Sequence, residues 1–511
     1  MRGVRLGSLL LCAGGLLSAQ DFQELQKKVS EFSLPNGLRF IVLERHQAPV
    51  VSFHTRVNAG SVQDPAGQTG LAHMMEHLAF KGTEAIGTRN WAEEKRALET
   101  VEELNDRVEA EVRKGPRADQ SRIDSLRSQA RTAADSAQRL SNPGEYRFLI
   151  EENGGLNLRA TASTGANEVS YTLPSSRTEL WFLMESQRLL RPVFRDFYQE
   201  RDAVAEEYRQ RVEANPQGRM MTELLATAFH AHPYRDPAFG WPSDIANLRR
   251  RDAQAFFERY YVPGNITIAI VGDIAAAEAK RLAERYFGPM VSKPLPPLVS
   301  TQEALQNGPR TAVLEISGPA LAFIGYKRPS QYDKDDLALD VIQILLSQGR
   351  QGLLYTDLVQ GKRLAQQAQS IATNPDGRYP NLFVFLLAPA QAHGVEENQR
   401  GLDDLLQRLK TNPVDDASLA RAKLQGRANL LRRLDNNAEL AGQLALHALD
   451  YGDWRKLFTT LDDLSQVKAG DIQRAAARYF AATGRTTVYT VLPGQSSAPP
   501  KPPERKAGGL L

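Results

Sequence analysis

Residues 70–80 have the sequence Gly-Leu-Ala-His-Met-Met-Glu-His-Leu-Ala-Phe, which sets two histidines four positions apart with a glutamate directly before the second. In a helix, residues four apart share a face, so His73 and His77 lie one above the other with Glu76 beside them. The opposite face is apolar and is predicted to be buried, through Leu71, Met74, Met75 and Leu78. The stretch therefore predicts an amphipathic helix with one chemically active face.

This helix carries half of a metal site. Two stacked imidazoles supply two ligands of a tetrahedral zinc ion, and a neighbouring carboxylate can accept a proton from water. His-x-x-Glu-His is also the inverted form of the commoner zinc-protease helix motif. The alternative is a core helix with two incidental histidines. It is disfavoured because the chain has only eight histidines and two of them fill this pattern.

A catalytic zinc usually takes three protein ligands, so a third must come from elsewhere in the chain. Residues 197–209 are predicted to form a helix that Asn215-Pro216 closes. Glu200 and Glu207 are seven positions apart on it and point to one face, whereas Glu206 is turned away. From the residues alone, Glu200 and Glu207 are both candidates for the third ligand.

Length and composition bound the class of protein. At 511 residues the chain is too long for one ordinary core, and two or more domains are expected. Its charged and hydrophobic fractions, 24% and 42%, are typical of a soluble globular protein. A net charge of +3 gives no reason to expect nucleic-acid binding.

The first residues have the pattern of a secretory signal peptide. Two arginines precede an apolar run over residues 6–17, and cleavage after Ala19 gives a signal peptide over residues 1–19. The run is too short for a folded anchor, so no integral membrane span is expected. The only cysteine, Cys12, falls inside this segment, so the mature chain would form no disulfide. We therefore expect export to the periplasm of a Gram-negative-type bacterium.

The chain contains an internal repeat. Asp252, Gln254, Arg259 and Tyr260 recur as Asp471, Gln473, Arg478 and Tyr479, each 219 residues on (471 − 252 and 478 − 259). Leu71-Ala72 recurs as Leu337-Ala338, 266 residues on (337 − 71). The difference, 47 residues (266 − 219), indicates an insertion in the first copy. In place of the two histidines the second copy has Leu339 and Gln343, so it is not expected to bind metal there.

The insertion is residues 91–141, which are predicted to form a helical hairpin. Apolar residues recur at helical spacing among many charges on either side of a break at Gly115-Pro116. We interpret the hairpin as a surface insertion without a catalytic role.

The sequence therefore predicts an α+β chain in which one fold is used twice. The predicted divisions are a signal peptide (1–19), a zinc-binding first domain (29–290, with the hairpin at 91–141), a proline-rich linker (291–310), a metal-free second domain (311–493) and a disordered tail (494–511).

The chain resembles the pitrilysin/insulinase family of zinc peptidases, which includes the mitochondrial processing peptidase. The resemblance covers nearly the whole mature chain and is carried by the motif at 70–77 and by Leu34-Pro35-Asn36-Gly37-Leu38, Ala59-Gly60-Ser61, Phe80-Lys81-Gly82-Thr83, Glu200-Arg201-Asp202 and Val271-Gly272-Asp273. It implies two homologous α/β-sandwich domains, each a mixed sheet covered by helices, that form a clamshell.

By that resemblance the metal ligands are His73, His77 and Glu207, which hold one Zn²⁺ per chain. Glu76 is then the general base, and Glu200 is a further catalytic carboxylate behind the ligands.

The family's distal glutamate usually follows the motif by about seventy-five residues, which points at Glu152. We reject Glu152 because it precedes the strand entry at Gly154-Gly155, whereas the family's ligand lies on the helix after that strand. The hairpin accounts for the extra length.

The resemblance also assigns substrate binding to Arg159, Ala160 and Thr161. A peptide or an unfolded protein segment would add as a strand to this edge, inside a chamber between the two halves. The family's strand usually reads Leu-Asn-Ala, and the match here is Leu158-Arg159-Ala160, in which a cation replaces a neutral amide.

The second copy departs from the family as well. Many members carry an Arg and a Tyr there that contact the substrate and the transition state, and the matching positions here are Val359 and Gln366. Arg363 lies in the same stretch and is a candidate substitute. Some bacterial members divide the work between a zinc-holding chain and a paralogous chain with the Arg and the Tyr. We expect a dimer, with a heterodimer of this kind as one form.

The predicted function is a zinc-dependent metalloendopeptidase that hydrolyses peptides or unfolded segments. The alternative is a catalytically weak or inactive subunit that acts in binding or assembly beside a paralogous partner. Arg159, Val359 and Gln366 favour the alternative, and the complete set of metal ligands and base opposes it.

Overall fold

A computed structural model describes residues 24–494 of the chain. The predicted signal peptide (1–19), with Cys12, lies outside the described residues, and so does the predicted tail (494–511) except for Gly494. Within the described part, no helix is both long enough and apolar enough to cross a membrane.

The first sheet has six strands in the order β1-β2-β6-β3-β5-β4. They are β1 (Val29–Ser33), β2 (Arg39–Glu44), β3 (Val50–Val57), β4 (Leu156–Ala162), β5 (Asn167–Pro174) and β6 (Ile266–Gly272). β2 and β6 are parallel, and the other neighbours are antiparallel. The first hairpin turns at Gly37, whose φ of 96° is one that glycine tolerates. β4 forms an edge of this sheet.

The helices of the first half follow in chain order. They are α1 (Leu71–Leu78), α2 (Trp91–Val112), α3 (Gln120–Leu140), α4 (Glu145–Glu152), α5 (Thr178–Leu190), α6 (Phe197–Tyr208), α7 (Pro216–Ala228), α8 (Pro242–Asn247), α9 (Arg250–Tyr260) and α10 (Ala276–Phe287). α1, α5 and α10 pack on one face of the sheet, where Phe53 and Trp181 stack with ring centroids 4.5 Å apart. This packing places the motif helix against the sheet.

The second sheet has five strands in the order β7-β11-β8-β10-β9. They are β7 (Arg310–Glu315), β8 (Ala322–Arg328), β9 (Ala365–Asn374), β10 (Asn381–Pro389) and β11 (Arg485–Val491). The helices of this half are α11 (Asp336–Ser347), α12 (Val395–Thr411), α13 (Asp416–Leu434), α14 (Asn437–Asp450), α15 (Lys456–Gln466) and α16 (Ala469–Tyr479).

The two halves repeat one fold. The order β7-β11-β8-β10-β9 matches β2-β6-β3-β5-β4 strand for strand, so β9 occupies the edge position of β4. α9 begins at residue 250 and α16 at residue 469, which is the predicted separation of 219 (469 − 250). The prediction of one α+β fold used twice, with two sheets covered by helices, is confirmed.

Each half also contributes a helix to the sheet of the other half. α14 lies on the first sheet, where its apolar face packs against Ile41, Leu43, Ala269 and Val271. α7 lies on the second sheet, where its apolar face packs against Phe323, Leu382, Val384 and Val488. Strands such as β2 are buried on both faces for this reason, which agrees with their unbroken apolar sequence.

The predicted helical hairpin is present as α2 and α3, joined by a short turn over Gly115–Arg117. Its interior is a narrow stripe of buried apolar residues, namely Leu98, Val101, Leu104, Ile123, Leu126, Ala130 and Ala137. Arg249, Arg250 and Arg251 form ion pairs with Glu102, Asp106 and Glu109 of α2. These pairs hold α2 alongside the start of α9.

Candidate metal centre and active site

The entry into α1 fixes the orientation of the motif. Gly70 precedes the helix with a φ of 97°, and a Cβ there would lie 2.8 Å from the carbonyl oxygen of Phe239. The Asp64 carboxylate accepts hydrogen bonds from the N–H groups of Gly70 (2.7 Å) and Ala72 (2.9 Å), which satisfies two amides at the helix start. The predicted apolar face is buried through Leu71, Met74, Met75 and Leu78. The other face therefore presents the motif.

α6 places a carboxylate against that face. His73 Nε2 lies 3.0 Å from Glu207 Oε2, and His77 Nε2 lies 3.3 Å from the same oxygen. The two imidazole centroids are 4.9 Å apart. One donor atom from each of these three residues lies within 4.8 Å of the others, and residues 24–494 contain no second group of this kind.

Glu200 has a different position from Glu207. Its Oε2 lies 3.0 Å from His77 Nδ1, and its Oε1 lies 2.5 Å from Lys81 Nζ. A carboxylate at Nδ1 favours the tautomer with its proton there, which leaves the Nε2 lone pair of His77 turned towards Glu207. The geometry thus separates the two candidates that spacing left open, with Glu207 among the converging donors and Glu200 behind His77.

Glu76 lies at the open edge of the first sheet. Its Oε2 accepts the N–H of Ala162 at 2.8 Å and lies 3.4 Å from His73 Nδ1. The Ser163 N–H bonds to the Ala166 carbonyl and so closes the β4–β5 hairpin. Because hydrogen-bonded and open pairs alternate in an antiparallel ladder, the main chains of Ala160 and Ala162 face away from β5. The Glu76 carboxylate therefore stands where a further strand would pair.

The charges of the site favour a cation. Burial raises the pKa values of Glu76, Glu200 and Glu207, but contacts with the imidazoles and Lys81 lower them more, so all three pKa values lie below their usual range. Burial lowers the pKa of His77, but Glu200 and Glu207 raise it more, so the net shift is upward. The carboxylates are ionised at neutral pH and favour positive charge on the His77 ring.

This donor set fits a zinc ion. Two imidazole nitrogens and one carboxylate oxygen are a ligand set that zinc takes at catalytic sites, with one position left open. The carboxylates that raise the pKa of His77 also attract a divalent cation. Metal and proton compete for the same ring nitrogen, so a bound metal ion would take the place of the proton. Glu200 orients the other nitrogen of that ring, as outer carboxylates do in zinc sites.

Several residues that the sequence analysis did not single out support the site. Arg211 Nε lies 2.8 Å from Glu207 Oε1, and the Phe239 ring meets the His73 ring edge-on at 5.0 Å. Lys81 had a sequence signal, because it belongs to a stretch that carries the family resemblance. Arg211 and Phe239 had none, because their contacts depend on how distant segments pack.

The base of the hairpin also supports the site. Glu94 of α2 and Arg195 form an ion pair of 2.5 Å, with side chains only 1% and 2% exposed. Arg195 donates further hydrogen bonds to the carbonyls of Lys81 (3.0 Å), Thr83 (2.6 Å) and Ile86 (3.2 Å). Through Arg195, the hairpin therefore stabilises the loop that carries Lys81. Glu94 and Arg195 are 101 positions apart, and no sequence pattern links them.

The remaining residues considered from the sequence lie elsewhere. Glu152 is exposed at the end of α4. Arg159, Ala160 and Thr161 lie within β4, next to the Ala162 N–H that binds Glu76.

Comparison with known proteins identifies the family. The profile described as "Insulinase (Peptidase family M16)" matches residues 39–114, which include the motif, and the profile "Peptidase M16 inactive domain" matches residues 247–425. The zinc protease PqqE of Helicobacter pylori is 26% identical over 490 residues, which cover 94% of this chain and 96% of that protein. The chain belongs to the pitrilysin/insulinase family, M16.

Further M16 relatives agree in extent and fold. The probable mitochondrial-processing peptidase subunit beta of Arabidopsis thaliana is 24% identical over 467 residues, 88% of this chain and 75% of that protein. The crystal structure of a protease from Helicobacter pylori superposes with a TM-score of 0.76 at 24% identity, covering 91% of this chain and 99% of that one. The M16 clamshell of two domains is therefore the fold of this chain.

The second half of this M16 protein has neither histidines at the positions that match His73 and His77 nor the Arg and the Tyr that the resemblance implies. Leu339 is buried in the apolar core, and Gln343 Nε2 donates to the Ser370 carbonyl at 3.3 Å. Val359 packs partly buried against the same core, and Gln366 is exposed on β9. Neither side chain repeats the Arg or the Tyr that the resemblance places there.

Proposed function

We propose that the protein is a zinc-dependent metalloendopeptidase that hydrolyses peptides or unfolded protein segments. The observation that carries this proposal is the convergence of His73 Nε2 and His77 Nε2 on Glu207 Oε2, with Glu76 held at the open edge of β4. A subunit that only binds or assembles has no need of a base in that place.

The chemistry divides between the ion and the chain. Held by His73, His77 and Glu207, zinc would supply a Lewis acid that acidifies water and polarises the scissile carbonyl. Glu76 accepts the proton of the attacking water and delivers it to the leaving amine. The Ala162 N–H fixes the Glu76 carboxylate beside the edge strand, so the proton acceptor is in place before the substrate arrives.

The substrate class follows from the open edge. Ala160 turns its main-chain N–H and C=O away from β5, so an extended peptide can pair with it as a seventh strand. Such pairing uses the main chain of the peptide and requires it to be extended. Peptides and unfolded segments meet that requirement along their length, whereas a folded domain offers only an exposed loop or edge strand.

Metal analysis and peptide cleavage test the proposal together. Purified protein should contain about one zinc per chain, and cleavage should stop on chelation and return with zinc. Glu207→Gln should lose most of the metal. Glu152→Gln is the matched control and should keep it, since Glu152 is exposed at the end of α4. Equal zinc retention by both variants would contradict the assignment of Glu207.

We also propose export to the periplasm through residues 1–19, and a division of the chain into domains 29–290 and 311–493 with a linker at 291–310. The charged and then apolar N-terminal sequence supports the first point. Residues 291–309 form neither helix nor strand, which supports the second. A periplasmic protein that begins at Gln20 is the expected result. A cytoplasmic protein that keeps Met1 would contradict export.

A second candidate is a binding or assembly subunit with weak turnover. It is favoured by Val359 and Gln366, because the apolar Val359 side chain has no hydrogen-bond donor for a substrate oxygen. Tight peptide binding without cleavage by fully zinc-loaded protein is the result that would favour this candidate over the first.

A further inference from the structure

We propose that Arg159 gives this site a preference for acidic peptide segments, by binding an Asp or Glu side chain of the strand that pairs with β4. The proposal rests on the proposed function, since it concerns the peptide bound at the same edge. It adds a substrate class that strand pairing alone does not specify.

The hairpin geometry fixes the direction of the Arg159 side chain. The main chain of Arg159 pairs with Ser170 of β5. Side chains alternate along a strand, and Leu158 is buried in the core on the α1 side, so Arg159 projects from the opposite face of the sheet. A peptide strand added beyond β4 continues the sheet, and every second side chain of that peptide projects from the same face as Arg159.

The charge of Arg159 is not neutralised by an ion pair within residues 24–494. Its side chain is exposed, and across residues 24–494 no carboxylate lies within ion-pair distance of it. Glu168 of β5 projects from the same face but is paired with Arg56. An incoming carboxylate therefore meets a free guanidinium.

The neighbours of Arg159 directly across the sheet carry no charge. Ser170 stands opposite it on β5, and His54 follows on β3. Burial, Arg56 and Arg159 lower the pKa of His54 to about 3, so His54 is neutral at physiological pH. The Glu439 carboxylate of α14 opposes this lowering of the His54 pKa, and within the described residues it makes no ion pair with Arg159.

A carboxylate is the group that this surface selects. A guanidinium binds a carboxylate through two parallel hydrogen bonds, and opposite charges on neighbouring strands attract while like charges repel. Ala162, beside Glu76, and Arg159 are three positions apart on β4. We therefore expect the acidic residue about three positions from the bond that is cut.

Binding to Glu76→Gln protein, loaded with zinc, tests the inference without cleavage. The probe is a fluorescent, uncharged extended peptide in which a single Asp, Asn or Lys is moved through every position. At one position Asp should bind about fivefold more tightly than Asn, and Lys more weakly. The difference should shrink between about 50 mM and about 500 mM salt.

Variants at Arg159 give the decisive comparison. Arg159→Glu should reverse the preference towards Lys at that position, and Arg159→Asn should remove it. Arg177→Glu is the matched control, since Arg177 is also exposed, lacks an ion pair within the described chain and changes the charge equally. It should leave the Asp preference intact.

Two results would overturn the inference. One is a charge preference that is absent or that survives Arg159→Glu, and the other is no binding of any peptide to the zinc-loaded protein. Failure of the proposed function looks different. In that case the Asp preference and its reversal appear in binding, while wild-type zinc protein cleaves none of the peptides.

Discussion

Glu76 contacts a predicted metal ligand but is not itself one of the three residues whose donor atoms converge. It lies against His73 Nδ1 and the Ala162 N–H, whereas the donor atoms within 4.8 Å of one another come from His73, His77 and Glu207. The base can therefore be changed without removal of a ligand, which separates metal binding from proton transfer at the scale of one residue.

Glu76→Gln should keep about one zinc per chain and lose peptide cleavage by a factor of about 10²–10⁴, because a positioned general base contributes that much. Metal analysis and a peptide assay on the same preparation check both halves of this expectation. Wild-type cleavage by a fully loaded variant would show that another group takes the proton.

Glu200→Ala should bind zinc about 10–100 times more weakly than wild type, because the carboxylate that orients His77 is lost. Glu206→Ala is the control on the same helix, since Glu206 is exposed and its carboxylate bonds to Arg209 and Gln210 rather than to an imidazole. Competition with a fluorescent chelator gives both dissociation constants. The assignment fails if the two variants hold zinc equally well.

Spacing predicted part of this site because a helix leaves its side chains little freedom. His73 and His77 are one helical turn apart, and that spacing alone predicts that their rings lie next to each other. Spacing could not choose between Glu200 and Glu207, because residues seven positions apart share a face. Their distances to the imidazoles depend on how α6 packs against α1, which local sequence does not determine.

At the scale of elements, the hairpin α2–α3 is more than a surface insertion. Its two helices pack along a narrow apolar stripe, and its base supplies Glu94 to the buried Arg195. Arg195 in turn binds three carbonyls of the loop that follows α1. Removal of residues 91–141 would leave a guanidinium buried without its counter-charge.

Glu94→Gln should destabilise the protein by about 3–5 kcal/mol, the usual cost of breaking a buried ion pair from one side. It should also weaken zinc binding, because Arg195 holds the loop that carries Lys81. Thermal unfolding and zinc titration measure the two effects. Glu99→Gln, an exposed change on the same helix, should alter neither. Unchanged zinc affinity in Glu94→Gln would show that the hairpin does not support the metal site.

Periodicity predicted the hairpin and the repeat but not the exchange of α7 and α14. An amphipathic sequence shows that a helix face is buried, as it is for Leu224 and Leu444. It does not show which sheet covers that face. The destination is set by tertiary packing, so it appears only once both sheets are in place.

At the scale of the whole molecule, the first half holds three converging donors and a base, while Val359 and Gln366 of the second half differ from the Arg and the Tyr that the family resemblance implies. Donors of that kind act on developing negative charge, and the loss of one costs a factor of about 10²–10³ in rate. Val359 and Gln366 occupy their positions here. The isolated chain is therefore expected to be a slow enzyme.

The expected partner is a paralogous family chain that lacks His-x-x-Glu-His but carries the Arg and the Tyr. Addition of that chain should raise the rate of peptide cleavage by orders of magnitude. Titration of that chain into zinc-loaded protein, followed by rate and by mass of the complex, measures the effect. The same chain with its Arg and Tyr replaced by Val and Gln is the control. Fast cleavage by the purified homomer alone would refute this expectation.

The exchange of α7 and α14 has a consequence for the order in which the chain is made. When a ribosome has completed the first sheet at β6, the helix that covers Ile41 and Val271 is still about 165 residues away. Until Asn437–Asp450 has been synthesised, that apolar surface lacks the helix that covers it in the folded protein. A nascent first half would need a holding chaperone, and a fragment truncated before α14 should aggregate, although it contains every residue of the metal centre.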